Sequence, residues 1–145
     1  MGKFSDILLT VDYDRTLTAP DSSIPERNLE AIRYFMENDG AFTVNTGRSV
    51  PMIQVFRDRV PVNAPLLLYN GSAAYDLATE KLLFCHEIQL DLWQTVRECM
   101  SLFPDLTVEV QGLDAHYRFT ENPCTSTVRS GNRLMHSRTV CHRSS

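Results

Sequence analysis

Two carboxylates two residues apart, Asp12 and Asp14, follow the apolar run Ile7-Leu8-Leu9-Thr10-Val11. Acids this close repel each other unless a cation or a proton lies between them. Hard oxygen donors of this kind suit Mg²⁺, which keeps part of its water shell and is completed by substrate phosphate. A second polar cluster, Thr46-Gly47-Arg48, follows a second apolar run, Ala41-Phe42-Thr43-Val44-Asn45. Its hydroxyl and the exposed N–H groups behind it are suited to holding phosphoryl oxygens. A third, Asn70-Gly71, follows Leu66-Leu67-Leu68-Tyr69. Together the three clusters offer the parts of a phosphoryl-handling site.

Three short apolar runs, each ending in a polar cluster, require elements that bring those ends together. The first run reads as a buried parallel strand. Pro25-Glu26 then opens a helical pattern with Leu29, Ile32, Phe35 and Met36 on one face, and Gly40 is placed to close it. After the second strand, Ser49 is available to cap a helix carrying Met52, Ile53, Val55 and Phe56. Strand, helix, strand, helix, strand is the pattern of a parallel sheet, and such sheets bind ligands at the carboxyl ends of their strands. If the three strands are neighbours, Asp12, Asp14, Thr46, Gly47, Arg48, Asn70 and Gly71 converge on one crevice. Beyond it, Ala73 to Asp76 and Lys81 to His86 predict a hairpin around Leu77 to Glu80. Asp91 is placed to cap a helix reaching about Phe103, and Thr107 to Val110 and Ala115 to Phe119 predict two more strands. The fold class expected is α/β, a partial doubly wound parallel, Rossmann-like sheet with the beginning of an inserted α+β cap. The expected division is a core segment at 1–76, a partial cap at 77–123 and a basic tail at 124–145.

The 145 residues are 43% hydrophobic and 22% charged, the balance of a globular domain. No run approaches the roughly 18 apolar residues of a membrane span, so a soluble cytoplasmic protein is expected. The net charge of −4 argues against a nucleic-acid partner, because phosphate affinity is built from clustered Lys and Arg. Cys85, Cys99, Cys124 and Cys141 lack CxxC spacing and read as idle thiols. His86 and His116 read as strand-face residues, and Phe84, Trp93 and Tyr117 as packing. Charge is unevenly divided: all 18 acids and 10 of the 14 bases lie before Pro123, leaving that part at −8 and the last 22 residues at +4. The tail has no useful periodicity and is expected to be disordered. A basic docking arm and out-of-frame translation are its two readings, of which the second is favoured.

The ordered trio Asp12-Tyr13-Asp14-Arg15-Thr16-Leu17-Thr18, Thr46-Gly47-Arg48 and Tyr69-Asn70-Gly71-Ser72-Ala73 closely resembles the haloacid dehalogenase-like hydrolases over roughly residues 5–123. Within them it is similar to the Cof-type sugar-phosphatase branch, whose cap is inserted after the third of these strands. The resemblance implies that Asp12 is a nucleophile forming an aspartyl-phosphate and that Asp14 is the general acid and then base. It implies Mg²⁺ held by the Asp12 carboxylate and the Asp14 backbone carbonyl, and a phosphoryl group held at Thr46. Arg48 and Asn70 would shape the mouth of the site, and Thr16 would support the aspartate loop. The implied partner is a small phosphorylated metabolite; oligomeric state is not legible.

Two departures stand out. Arg15 occupies a position that is usually Gly in this family, where a tight loop is expected. The family's Lys and second acidic pair have no counterpart: after Asn70 the only Lys is Lys81, and no acid follows Glu121. The chain therefore reads as a C-terminally truncated phosphatase, with two alternatives. One is an inactive fragment or pseudoenzyme retaining phosphate or Mg²⁺ binding. The other is a receiver-like phospho-acceptor domain, against which Thr46-Gly47-Arg48 and the cap-like insertion both argue.

Overall fold

Leu8–Asp12 (β1), Ala41–Asn45 (β2) and Leu66–Leu68 (β3) lie side by side as parallel strands, so the three polar clusters that follow them emerge at one end of one sheet. The computed structural model describes residues 2–120 and 137–141. In the β1–β2 register Leu8 faces Ala41 and Asp12 faces Asn45. The sheet continues through Ala73–Asp76 (β4) and Lys81–Cys85 (β5), both antiparallel to their predecessors, giving the order β1-β2-β3-β4-β5. The first three strands form the parallel, Rossmann-like sheet expected from the alternation of apolar runs and helical patterns, and the hairpin β4–β5 makes it a mixed sheet.

The core forms where β-branched and aromatic side chains alternate against the helices. Phe42, Val44, Leu66 and Leu68 are completely buried. Glu26–Glu37 (α1) contributes Ile32, with Phe35 and Met36 packed beside it. Removing this much apolar surface from water is the main source of stability. Gly40 is required for a reason other than the expected one: a Cβ there would clash with the edge of the Phe35 ring. The left-handed residue that ends α1 is Asp39, at φ 66°.

The helix expected after Ser49 is much shorter than its apolar pattern. Val50–Met52 forms a 3₁₀ turn and only Gln54–Arg57 (α2) is α-helical. Ser49 makes no side-chain cap hydrogen bond, and Pro51 withholds a backbone donor in the first turn. Ile53 and Phe56 nevertheless reach the core, Phe56 standing edge-on to Tyr13 at 4.7 Å.

Contacts divide the chain into two compact units, Met1–Glu87 and Ile88–Ser145. The second unit contains Leu92–Leu102 (α3), Val108–Gln111 (β6), His116–Thr120 (β7) and Ser137–Cys141 (β8). Asp91 caps α3 as expected, its Oδ1 accepting from the Gln94 N–H at 2.9 Å. β6 and β7 are antiparallel, β7 and β8 parallel. Trp93 packs edge-on to Phe119, and Glu109 lies 3.2 Å from Arg118 and 3.3 Å from His116 on the sheet surface. Of the basic segment 124–145, β8 is thus a strand, and its other residues lie outside those described. Among the described residues no helix is long and apolar enough to cross a membrane.

Candidate active site

The first loop leaves β1 at Asp12 as a wide turn, Tyr13–Leu17, whose backbone departs from helical values at Asp14 and Arg15. Tyr13 and Leu17 are buried and anchor it, while Asp14 and Arg15 between them are turned outward. Arg15 sits in the left-handed region at φ 63°, ψ 9°, which explains why glycine suits this position. Thr18, which is buried, stabilises the turn: its hydroxyl accepts from the Arg15 N–H at 3.0 Å and donates to the Tyr13 carbonyl at 3.1 Å. The supporting role expected of Thr16 therefore belongs to Thr18, and Thr16 itself is exposed. Sequence reasoning missed Thr18 because a threonine near a turn carries no mark of which hydroxyl faces inward.

The second and third loops are laced together by their backbones. The Thr46 N–H donates to the Leu67 carbonyl and the Asn70 N–H to the Thr46 carbonyl, both at 2.9 Å. The Tyr69 N–H donates to the Arg48 carbonyl at 3.1 Å, and the Val50 N–H donates to the Tyr69 hydroxyl at 3.1 Å. The Thr46 hydroxyl, buried, accepts from the Arg48 N–H at 3.2 Å. Asn70 adopts φ 56°, and its carboxamide lies over Gly47, where a Cβ would come 3.1 Å from Oδ1. Gly71 has φ 92° and open space around it, so its requirement is conformational. Thr46, Gly47, Arg48 and Asn70 are thus joined by named contacts, while Gly71 beside them makes none among the described residues.

Arg48 ties this pair of loops to the first. Its Nε donates to Asp14 Oδ2 at 2.9 Å and its Nη2 to Oδ1 at 2.8 Å, a bidentate fork. The guanidinium also lies over the Tyr13 ring, 4.9 Å from its centroid. Hydrogen bonding to Arg48 is the main cause that holds the Asp14 carboxyl below its ordinary value; burial opposes it, and the charges of Arg48 and Arg15 add to it. The same hydrogen bonding raises Arg48. Asp12, by contrast, is exposed, and among the described residues its carboxylate has no hydrogen bond or ion pair. The two acids stand in different environments: one is occupied and one is available.

The donor chemistry fits a hard divalent cation. Asp12 offers a free carboxylate, and Asp14 has its carboxylate engaged by Arg48 but keeps a backbone carbonyl. Among the described residues no cluster of three or more His, Cys, Asp or Glu side chains forms, so further ligands would be other oxygens. On β2, Asn45 Oδ1 is buried without a hydrogen-bond partner. Leaving such an acceptor unsatisfied costs about 1–3 kcal/mol. Asn45 lies opposite Asp12 in the strand register.

Comparison with known proteins gives the family and the fold. The profile of the haloacid dehalogenase-like hydrolases matches residues 9–142, nearly the whole chain and into the basic segment. No curated protein matches. Among solved structures, the subclass IIB sugar phosphatase BT4131 superposes with a TM-score of 0.73 at 15% identity, over 93% of this chain and 52% of that one. BT1666 from Bacteroides thetaiotaomicron, described among phosphatases of the same superfamily, gives 0.66 at 18% identity, over 83% and 43%. A haloacid dehalogenase-like hydrolase from B. subtilis gives 0.61 at 20%, over 79% and 39%. The chain thus spans about half the length of these structures or less, and shares their fold. The resemblance first read at three strand ends extends through the matched length, and the chain belongs to the haloacid dehalogenase-like hydrolases.

Proposed function

We propose that this chain carries the nucleophile and acid–base half of a phosphomonoester hydrolase acting on small phosphorylated metabolites. The observation that carries the reading is the convergence of the three strand-end clusters, with Arg48 joining Asp14 and Asn70 packed on Gly47. BT4131 is a sugar phosphatase, and sugar phosphates are the substrate class proposed here. A cytoplasmic setting, where such metabolites occur, belongs to the same reading.

A carboxylate oxygen of Asp12 attacks phosphorus, the bond to the leaving oxygen breaks, and that oxygen takes a proton from Asp14. Water then attacks the phosphorus of the aspartyl-phosphate and gives its proton to Asp14, while the bond from phosphorus to the Asp12 oxygen breaks, which releases inorganic phosphate and restores the Asp12 carboxylate. The Thr46 hydroxyl and the Gly47 N–H hold the phosphoryl oxygens, and Arg48 and Asn70 border the entrance. Asp12 and the Asp14 carbonyl would hold Mg²⁺, which would supply charge neutralisation between the anionic substrate and the anionic nucleophile. Arg48 shapes the proton step: while the fork is closed, Asp14 is ionised and suited to act as base, so acting as acid requires the guanidinium to release it.

Hydrolysis of p-nitrophenyl phosphate by the full chain, with and without Mg²⁺, tests this function. Turnover that needs Mg²⁺ and falls to background in Asp12→Asn is expected; turnover that survives Asp12→Asn overturns the mechanism. A second reading, phosphate or Mg²⁺ binding without turnover, is favoured by the closed Arg48–Asp14 fork. It is supported if phosphate binds and no hydrolysis occurs.

A further inference from the structure

We propose that Asn70-Gly71 is a site of spontaneous deamidation, which turns the carboxamide lying against Gly47 into a carboxylate and so closes the phosphate-holding loop to anions. The chemistry at Asn70 stands on the turn itself, and its effect on phosphate rests on the phosphatase reading above. Asn70 is the only asparagine of the chain followed by glycine. It is exposed, and among the described residues its carboxamide makes no hydrogen bond. Asn28, Asn38 and Asn63, by contrast, each donate from Nδ2 to a backbone carbonyl, at 3.2, 2.8 and 2.9 Å. Gly71 stands in open space, with nothing within 4 Å of the place a Cβ would take. Tyr69, Asn70 and Gly71 hold φ 51°, 56° and 92°, three successive left-handed residues, a conformation that L side chains adopt at a cost. A rearrangement that opens this turn therefore gives up less than it would in relaxed backbone.

The Gly71 amide nitrogen loses its proton and attacks Asn70 Cγ, the bond from Cγ to Nδ2 breaks, and Nδ2 takes up a proton and leaves as ammonia. Glycine favours this attack because no side chain hinders its nitrogen and its backbone turns freely. Water then adds to one of the two carbonyl carbons of the resulting five-membered succinimide, the bond from that carbon to nitrogen breaks, and the nitrogen recovers a proton. Opening at Cγ leaves an aspartyl residue, and opening at the main-chain carbonyl leaves an isoaspartyl residue. Because the Asn70 carboxamide reaches within 3.1 Å of where a Gly47 Cβ would stand, the new carboxylate borders the loop whose Thr46 hydroxyl and Gly47 N–H hold phosphoryl oxygens. Like charge opposes a second anion there. The isoaspartyl form also adds a main-chain atom inside the turn that the Ser72 N–H closes on the Tyr69 carbonyl at 3.3 Å.

The test ages the full chain in warm, mildly alkaline buffer and compares it with fresh protein by peptide mass spectrometry and by calorimetric titration with inorganic phosphate. The mass gain of exchanging NH₂ for OH is expected at Asn70, faster as pH rises, with isoaspartyl-specific methyl transfer labelling the aged chain. Phosphate should bind the aged chain about fivefold or more weakly at low ionic strength, where like charges are least screened. Asn70→Asp should reproduce that loss in fresh protein, and Asn70→Gln, whose longer side chain closes the ring poorly, should keep its own fresh affinity through ageing. If Asn70 converts in the urea-unfolded chain and stays intact in the folded one, the turn protects it and the proposal fails. Conversion that leaves phosphate affinity unchanged, or Asn70→Asp binding phosphate as the original chain does, overturns the proposed consequence. Phosphate binding absent from the fresh chain overturns the site reading instead, and the closure of that loop with it. The aged original chain keeps the test decisive even where a variant folds poorly.

Discussion

Arg48 grips Asp14 through both carboxylate oxygens, at 2.8 and 2.9 Å, while its guanidinium rests on the ring of Tyr13, the residue between the two aspartates. The pair joins the loops after β1 and β2, which are far apart in sequence. It also sets the charge state of the residue proposed to move protons.

The pH dependence follows from the sign of the shift. The Asp14 carboxyl is depressed in the folded chain, so its contribution to stability is fully present above the ordinary carboxylate value of about 3.9 and is lost as pH falls through the lower folded value. Asp14 is half exposed, at 54% of its side chain, so screening limits the pair to about 0.5–1 kcal/mol. Unfolding free energies from urea titration of the original chain and Arg48→Ala should differ by that amount at pH 7 and converge as pH falls below the folded Asp14 value. Carboxyl ¹³C titration should show Asp14 returning toward the ordinary value in Arg48→Ala; no movement would mean that the fork is not formed in solution.

Arg15 holds a left-handed backbone conformation at φ 63° that an L side chain adopts at a cost. Arg15→Gly relieves that strain and loses some unfolded-state advantage, leaving a net gain of about 0.5–1 kcal/mol. Chemical denaturation reads it directly, and a loss of stability would show that Arg15 contributes contacts outweighing the strain.

Thr18 and Thr16 are a matched pair for separating a structural hydroxyl from an idle one. Thr18→Val leaves the Arg15 N–H without its acceptor in a partly buried turn and should cost about 1–2 kcal/mol. Thr16→Val, on the exposed side, should change stability by less than about 0.5 kcal/mol. If the two variants melt together, the turn is not held as described.

Gly47 and Asn70 should show energetic coupling. A Cβ at position 47 would stand 3.1 Å from Asn70 Oδ1 and 3.4 Å from Nδ2, tight enough that the carboxamide must shift. Gly47→Ala should therefore destabilise in the presence of Asn70 and be milder in the Asn70→Ala background, with a coupling of about 0.5–1 kcal/mol in the double-mutant cycle. Additive effects would place the two residues out of contact. Gly40→Ala is the severe control: the added carbon clashes with the edge of the Phe35 ring and should cost about 1–3 kcal/mol by overpacking.

By itself the sequence determined the elements and the places where their chemistry is exposed. Apolar runs of four or five residues ending in Asp12, Thr46 and Asn70 are local signals, and strands built from them pair in parallel because helical stretches separate them. The capping of α3 by Asp91 was equally legible, since it involves residues three apart. Contacts between distant segments were not. Which threonine turns inward at residue 16 or 18, why Gly40 must be small and why α2 is only Gln54–Arg57 depend on packing against other elements. The fork from Arg48 to Asp14 and the placement of Asn45 opposite Asp12 depend on strand register, because a shift of one residue would turn both strand-end side chains to the other face. Tertiary structure therefore decided the pairings, which require long-range geometry that no local pattern encodes.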